Sequence, residues 1–221
     1  MTDPRPTDRD LVARAVDDRH PGVPGPDSGP DRPTSADADR ARRDRLAAAA
    51  EEAGLLDLGF RTVDSPIGSL LLVASAAGVV RVAFAVEDHD AVLADLATAV
   101  SPRLLRAPAR LDRTAQQLEE YFRGERRSFD VPLDLRLAHG FRREVLEQLP
   151  AIAYGATASY AEVARAAGHP RAVRAVGSAC SHNPVPVLVP CHRVVRSDGS
   201  IGQYLGGTEA KRALLALETA S

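Results

Sequence analysis

The sequence predicts an α+β protein, a small antiparallel β/α part followed by a mostly helical part. Two observations carry that expectation. Three short segments of β-branched or alternating apolar residues, Leu58–Val63, Ser69–Ala74 and Val79–Ala85, follow one another with turn residues between them. After residue 130 the apolar residues recur at three- and four-residue spacing between recognisable helix caps.

The chain has 221 residues, enough for one ordinary domain with extensions or for two small ones at roughly 100–200 residues per domain. No apolar run approaches the roughly 18 residues that cross a bilayer, so no membrane partner is expected. The opening MTDPRPTDRD has no apolar stretch of the kind a secretory signal needs. Two cysteines, Cys180 and Cys191, are too few for a disulfide framework or a cysteine-built zinc site. A cytoplasmic protein is the expectation.

Residues 1–45 hold seven prolines, no aromatic residue, nine Arg and ten Asp. Such a stretch buries too little apolar surface to offset its ordering entropy and is expected to be a disordered tail. Short helices are compatible with 10–16 and 40–53. Residues 56–130 are expected to form the first α+β domain. Ser65-Pro66-Ile67-Gly68 and Ala76-Ala77-Gly78 turn its three strands into a meander. Helices are expected at 90–100 and 111–123, the second presenting Leu111, Ala115, Leu118 and Phe122 on one face and stopping at Gly124. No paired carboxylates, phosphate loop or metal cluster stand out here, so a scaffold is expected.

Residues 131–221 form the expected second domain. A helix at 140–149 aligns Phe141, Val145 and Leu149. Ser159-Tyr160-Ala161-Glu162 fits a capping box, in which hydroxyl and carboxylate satisfy each other's orphan N–H groups. That helix ends at Gly168, and His169-Pro170 is expected to start the next with Pro at its first position. Helices 159–168 and 170–180 therefore make a helix-turn-helix candidate. Arg171 and Arg174 fall on one face of the second, among the small residues Ala172, Ala175, Gly177 and Ser178. Small residues serve close packing and close approach to a groove alike. The formal charge is −2 overall, yet residues 131–221 carry ten basic and seven acidic groups, a mild bias toward a phosphate backbone.

The run Ser181-His182-Asn183-Pro184-Val185-Pro186-Val187-Leu188-Val189-Pro190-Cys191-His192 is expected to be an extended, proline-stiffened mount that delivers a cysteine and a histidine. Neighbouring side chains of an extended chain point to opposite faces, so His192 would reach Cys191 through a water. A free thiol ionises near ~8.5 and needs a base to become a nucleophile. The base needs a carboxylate to orient it, and Glu218, on a helix expected at 208–218, is the candidate.

Pro190-Cys191-His192-Arg193-Val194 resembles the active-site motif of the O6-alkylguanine-DNA alkyltransferases. Tyr154-Gly155, Ser159-Tyr160, Arg174-Ala175-Val176-Gly177, Asn183-Pro184-Val185-Pro186 and Gly202-Gln203-Tyr204-Leu205-Gly206-Gly207, with Lys211 and Glu218, stand at the family's spacing. The resemblance is close over about 130–218. It is looser over 56–130, where the family carries an RNase H-like domain.

The resemblance implies a DNA repair protein, a methylated-DNA–protein-cysteine methyltransferase. Such a protein flips O6-alkylguanine, and less readily O4-alkylthymine, from duplex DNA and takes the alkyl group irreversibly onto its own cysteine. It implies Cys191 as acceptor, His192 as water-linked base and Glu218 as its orienting carboxylate. Tyr160 would donate to the flipped base, and Asn183 would tie the recognition helix to the active-site turn. Arg174 would enter the base stack, while Arg171, Ala172, Ala175 and Gly177 meet the duplex. Val194, Tyr204, Leu205 and Gly206 would line the substrate pocket. No cofactor is implied, and no metal; the protein would act as a monomer on double-stranded DNA containing alkylated guanine. Leu205 and Leu146 depart from commoner family residues, Ser or Ala and an aromatic. A non-enzymatic binder of alkylated DNA and a Cys-His hydrolase are the alternatives.

Overall fold

The computed structural model describes residues 35–220. The expected helix at 10–16 lies outside the described residues. The short helix compatible with 40–53 is present and starts earlier, as helix α1 (Ser35–Glu52), so residues 35–45 are helical and not a disordered tail. Its second half, DRLAAAAEE, is rich in Ala and Glu and has high helix propensity. One face is also held in place: Ala47 is buried with Leu56 and Ala107, Asp44 meets Arg106 at 2.8 Å and Glu51 meets Arg110 at 3.0 Å.

β1 (Leu58–Val63), β2 (Leu70–Ser75) and β3 (Gly78–Phe84) form the meander, each neighbouring pair antiparallel. α2 (His89–Ala99) starts at Asp88, whose side chain accepts from the backbone N–H groups of Asp90 and Ala91. A fourth strand, β4 (Leu104–Arg106), was not expected; it pairs parallel to β1 and completes the order β3-β2-β1-β4. β2 is buried on both faces. Leu70, Leu72 and Ala74 join the main core, while Leu71 and Val73 pack with Val92 and Leu96 of α2. This is the period-two alternation of a strand between two layers.

α3 (Asp112–Phe122) packs the expected Ala115, Leu118 and Phe122 against the main core, with Leu111 buried just before it, but its buried face is broader than expected. Thr114, Gln117, Leu118 and Tyr121 are the buried residues, with Ala115 and Phe122 only partly covered. Polar residues can take that face because they are satisfied there: Gln117 exchanges hydrogen bonds with the backbone of Asp130 at 3.2 and 2.8 Å.

The helical half comprises α4 (Phe141–Gln148), β5 (Ala158–Ser159), α5 (Tyr160–Ala166), α6 (Val173–Ser181), β6 (Val194–Val195) and α7 (Gly207–Thr219). The capping box is present: Ser159 accepts from the Glu162 N–H, and Glu162 from the Ser159 N–H at 2.7 Å. α5 closes with His169 N–H on Ala164 O at 2.9 Å. Pro170 does not begin α6. A turn in which Ala172 N–H bonds His169 O at 2.8 Å intervenes, so Arg171 and Ala172 precede the helix. Arg174 and Ala175 lie on its exposed face, Gly177 is half-buried, and Val176, Ala179 and Cys180 face inward.

From Asp39 onward the described chain is one compact unit, and β3 is where its sheet meets the helical half. Its outer edge is covered: Val79 N–H bonds Pro132 O at 2.9 Å, Asp134 N–H bonds Val79 O at 2.8 Å, and Val82 N–H bonds Pro184 O at 2.8 Å. Gly78 permits this approach, since a Cβ there would stand 2.3 Å from Pro132 O. No helix among the described residues is long and apolar enough to cross a membrane.

Candidate active site

The segment before Cys191 is a closed loop, not the extended path expected. Val189 N–H bonds back to Val185 O at 3.0 Å, and Val187 sits at φ 72°, a conformation costing a β-branched residue about 1–3 kcal/mol. Asn183, fully buried, stitches the loop. Its Oδ1 accepts from Val185 N–H at 3.0 Å, and its Nδ2 donates to Val189 O at 2.9 Å and to Cys191 Sγ at 3.1 Å. The loop therefore ends with the sulfur aimed at a fixed amide. Cys191, His192 and Arg193 then form a single 3-10 turn.

His192 is wholly buried and turns Nε2 to Glu218 Oε1 at 2.9 Å. A carboxylate opposite Nε2 puts the ring proton there and leaves Nδ1 as the basic nitrogen. Nδ1 is buried and has no hydrogen-bond partner among the described residues. Burial pushes the imidazole pKa down, with Glu218 opposing and Arg193 reinforcing that push, so the ring is neutral near pH 7.

Glu218 collects four donor groups. Besides His192 it accepts from Arg193 Nε at 2.9 Å and Nη2 at 2.9 Å, from Tyr121 Oη at 2.7 Å and from the Gly155 N–H at 3.1 Å. Burial alone would raise this carboxyl. The bonds from His192, Arg193 and Tyr121 outweigh it and hold Glu218 far below the usual carboxylate range. Arg193 also donates Nη1 to Ile152 O at 2.7 Å, and its guanidinium stacks 5.7 Å from the Tyr154 ring centroid.

Cys191 is 2 % exposed. Burial pushes its thiol up to about 11, although the Asn183 donor and the Lys211 charge pull the other way. Lys211 itself is buried, with Nζ on Val194 O at 2.6 Å. The free protein thus carries a protonated, shielded thiol. Labelling of Cys191 by a small alkylating reagent should be slow at neutral pH and rise about tenfold per pH unit toward about 11. Mass spectrometry across a pH series checks this, and a plateau near an ordinary thiol's ~8.5 would contradict it.

The expected pocket residues are not all together. Val194 is buried in β6, paired with Ala158. Tyr204 sets its ring edge-on to Phe84, centroids 5.5 Å apart, and 6.4 Å from His192. Its hydroxyl is buried without a partner among the described residues. Gly206 lies under Phe84, where a Cβ would come within 2.7 Å of the ring. Leu205 instead borders a surface cleft of about 340 Å³ with Arg81, Glu87, Arg142 and His182. Tyr160 is half-buried. Its hydroxyl stands 2.5 Å from where a Gly202 Cβ would be, and burial and the nearby sulfurs raise its pKa.

Four participants escaped sequence reasoning. Arg193 and Lys211 lie in segments that resemble the family, but the sequence alone assigns them no role. Tyr121 and Phe84 lie in the half expected to be pure scaffold, and Tyr121 shares Glu218 with His192. A buried tyrosine on α3 has no local signal for this, since its partner is 97 residues away.

Fold and site together define a class of protein: an α+β chain that keeps a thiol, an imidazole and a carboxylate buried in one cluster. Residues 58–135 match the model of the 6-O-methylguanine DNA methyltransferase ribonuclease-like domain, and 140–220 match that family's DNA binding domain. A Mycobacterium tuberculosis methylated-DNA–protein-cysteine methyltransferase is 40% identical over 171 residues, covering 72% of this chain and 91% of the relative. The constitutive Bacillus subtilis relative is 36% identical over 163 residues, covering 73% and 96%. The crystal structure of the M. tuberculosis O6-methylguanine methyltransferase superposes with a TM-score of 0.65 at 38% identity, covering 74% of this chain and 93% of that one. Its complex with DNA gives 0.64 at 39%, covering 73% and 93%. The chain belongs to the methylated-DNA–protein-cysteine methyltransferase family.

Proposed function

We propose that this protein repairs alkylated DNA by moving an alkyl group from O6 of guanine, and less readily from O4 of thymine, onto Sγ of Cys191. The observation that carries the reading is the 2.9 Å contact between His192 Nε2 and Glu218 Oε1, which leaves a basic Nδ1 on the residue beside the thiol. The Sγ proton passes to Nδ1 through a water. The sulfur lone pair then forms the S–C bond as the C–O6 bond breaks and its electrons move onto the guanine. Tyr160 donates to the departing base, a bond that strengthens as charge develops there. The imidazolium proton then passes, through water, to the guanine anion. Net, an S–H and a C–O bond give way to a C–S bond and an N–H bond on neutral guanine. The thioether has no easy leaving route, so each chain acts once.

The target atom lies inside the duplex, which requires base extrusion, cheapest for a badly paired damaged base. Exposed Arg171 on the turn before α6 and Arg174 in its first turn, beside Ala172, Ala175 and Gly177, support docking by shape and backbone contact without sequence readout. Arg174 fills the place of the extruded base. Asn183 holds Cys191 against the end of α6; Val194, Tyr204, Leu205 and Gly206 shape the substrate space. Apart from that water, every step uses the chain's own groups, in a cytosolic monomer.

The test is to incubate the protein with duplex DNA carrying O6-methylguanine and weigh it. The expected result is one added CH2 on Cys191 and never more than one per chain. Binding without an adduct, or turnover of an ester or amide instead, would overturn the proposal.

A further inference from the structure

The sheet half brings one hydroxyl to the Glu218 carboxylate. Tyr121 is fully buried on α3, packed edge-on against Phe122 and Tyr154 and tilted against Phe129, with centroids 5.1–6.1 Å away. That aromatic cage holds the ring, and its Oη lies 2.7 Å from Glu218 Oε1 and 3.4 Å from His192 Nε2. Hydrogen bonds from His192, Tyr121 and Arg193 therefore converge on one carboxylate oxygen, and those of His192 and Tyr121 have opposite consequences for the imidazole. The imidazole bond strengthens when His192 takes a proton, and the phenol bond competes for the same lone pairs.

We propose that Tyr121 is a positioning residue for alkyl transfer: by sharing Glu218 Oε1 with His192, its hydroxyl holds the carboxylate in place and limits how strongly it stabilises a protonated imidazole. The inference rests on the alkyl-transfer reading above for its rate consequence alone.

A carboxylate that already accepts from Tyr121 and Arg193 offers less charge to His192, so the ring stays neutral and ready to accept the thiol proton. Tyr121 faces Glu218 from α7, His192 and Arg193 from the 3-10 turn, and Tyr154 from the segment before β5; Lys211 and Tyr204 complete the charged and titratable surroundings. Arg193 is fixed by its bonds to Glu218 and Ile152. The phenol is thus a contribution to this balance made by the sheet half of the molecule. It links the integrity of that half to the reactivity of a thiol in the other.

The test is Tyr121→Phe, which keeps the ring and removes the hydroxyl. With one donor fewer, Glu218 holds the imidazolium more tightly. The His192 ring titration, followed by NMR in the free protein, should move up by about one pH unit. The acid limb of the transfer rate should move with it, giving a loss of about tenfold below that limb and little change above it. A fluorinated tyrosine placed at 121, a stronger donor of the same shape, should move both in the opposite direction, and it answers the question even if the Phe variant folds poorly. Gln116→Ala, a control at an exposed position of the same helix, should leave both in place. Unmoved titrations, or a rate lowered equally at every pH, would overturn the proposal. The NMR readout needs no DNA, so a wrong assignment of function would leave it intact and show instead as the absence of an adduct.

Discussion

Cys191→Ser should abolish alkyl transfer, a fall of about a thousandfold or more, while duplex binding is retained. A serine hydroxyl ionises far above a thiol, and His192, neutral and pushed down by burial, is too weak a base to remove its proton. Sulfur is also the better partner for a soft alkyl carbon. Binding is spared because the surface that would meet DNA, Arg171, Arg174 and Ala175, is exposed and formed by α6 and the turn before it. The fold is spared too, since the serine oxygen inherits the Asn183 Nδ2 donor that now lies 3.1 Å from Sγ and no polar atom is left orphaned. Intact-mass measurement with O6-methylguanine duplex and a gel-shift titration, run side by side, separate the two properties. Retained transfer would remove Cys191 from the role of acceptor.

What could be read in advance divides along physical lines. β1 and the capping box at Ser159 were legible because local signals, alternation and a four-residue cap, dictate them. β4 was not, being three half-buried residues whose only reason to extend is the open edge of β1. The apolar stripe on α3 does face the core, but apolarity alone misses Gln117 and Tyr121, which are buried by virtue of partners at Asp130 and Glu218. The prolines at 184, 186 and 190 suggested stiffness correctly but not its shape, which Asn183 imposes through three hydrogen bonds. Likewise Pro170 looked like a helix start, yet the bonds that close α5 use the residues just before it and leave a turn. At the site, the order Cys-His pointed to chemistry. The guanidinium of Arg193, next in sequence, is what makes a buried Glu218 tolerable, and only the structure places the two together.

Glu218→Gln should be the most damaging single change to the fold at this site. It leaves Arg193, only 7% exposed, as a buried cation whose remaining partners are the Ile152 carbonyl and the Tyr154 ring. Removing one member of a buried pair typically costs about 3–5 kcal/mol, a large share of a domain's stability. The amide also presents either an NH2 to His192 Nε2, forcing the proton to Nδ1 and removing the acceptor the thiol needs, or an uncharged oxygen that stabilises the imidazolium poorly. Either way transfer should slow by about a hundredfold or more. Because the folded Glu218 carboxyl is held far below its ordinary value, its contribution is complete above about pH 4.3 and is lost as pH falls below that. The stability gap between wild type and Glu218→Gln, measured by denaturant unfolding, should therefore be widest near neutrality and narrow in acid. Adding Arg193→Met to Glu218→Gln removes the stranded cation and should recover much of the stability without recovering transfer. A double variant that regained transfer would mean that Glu218 only neutralises Arg193 and has no part in steering His192.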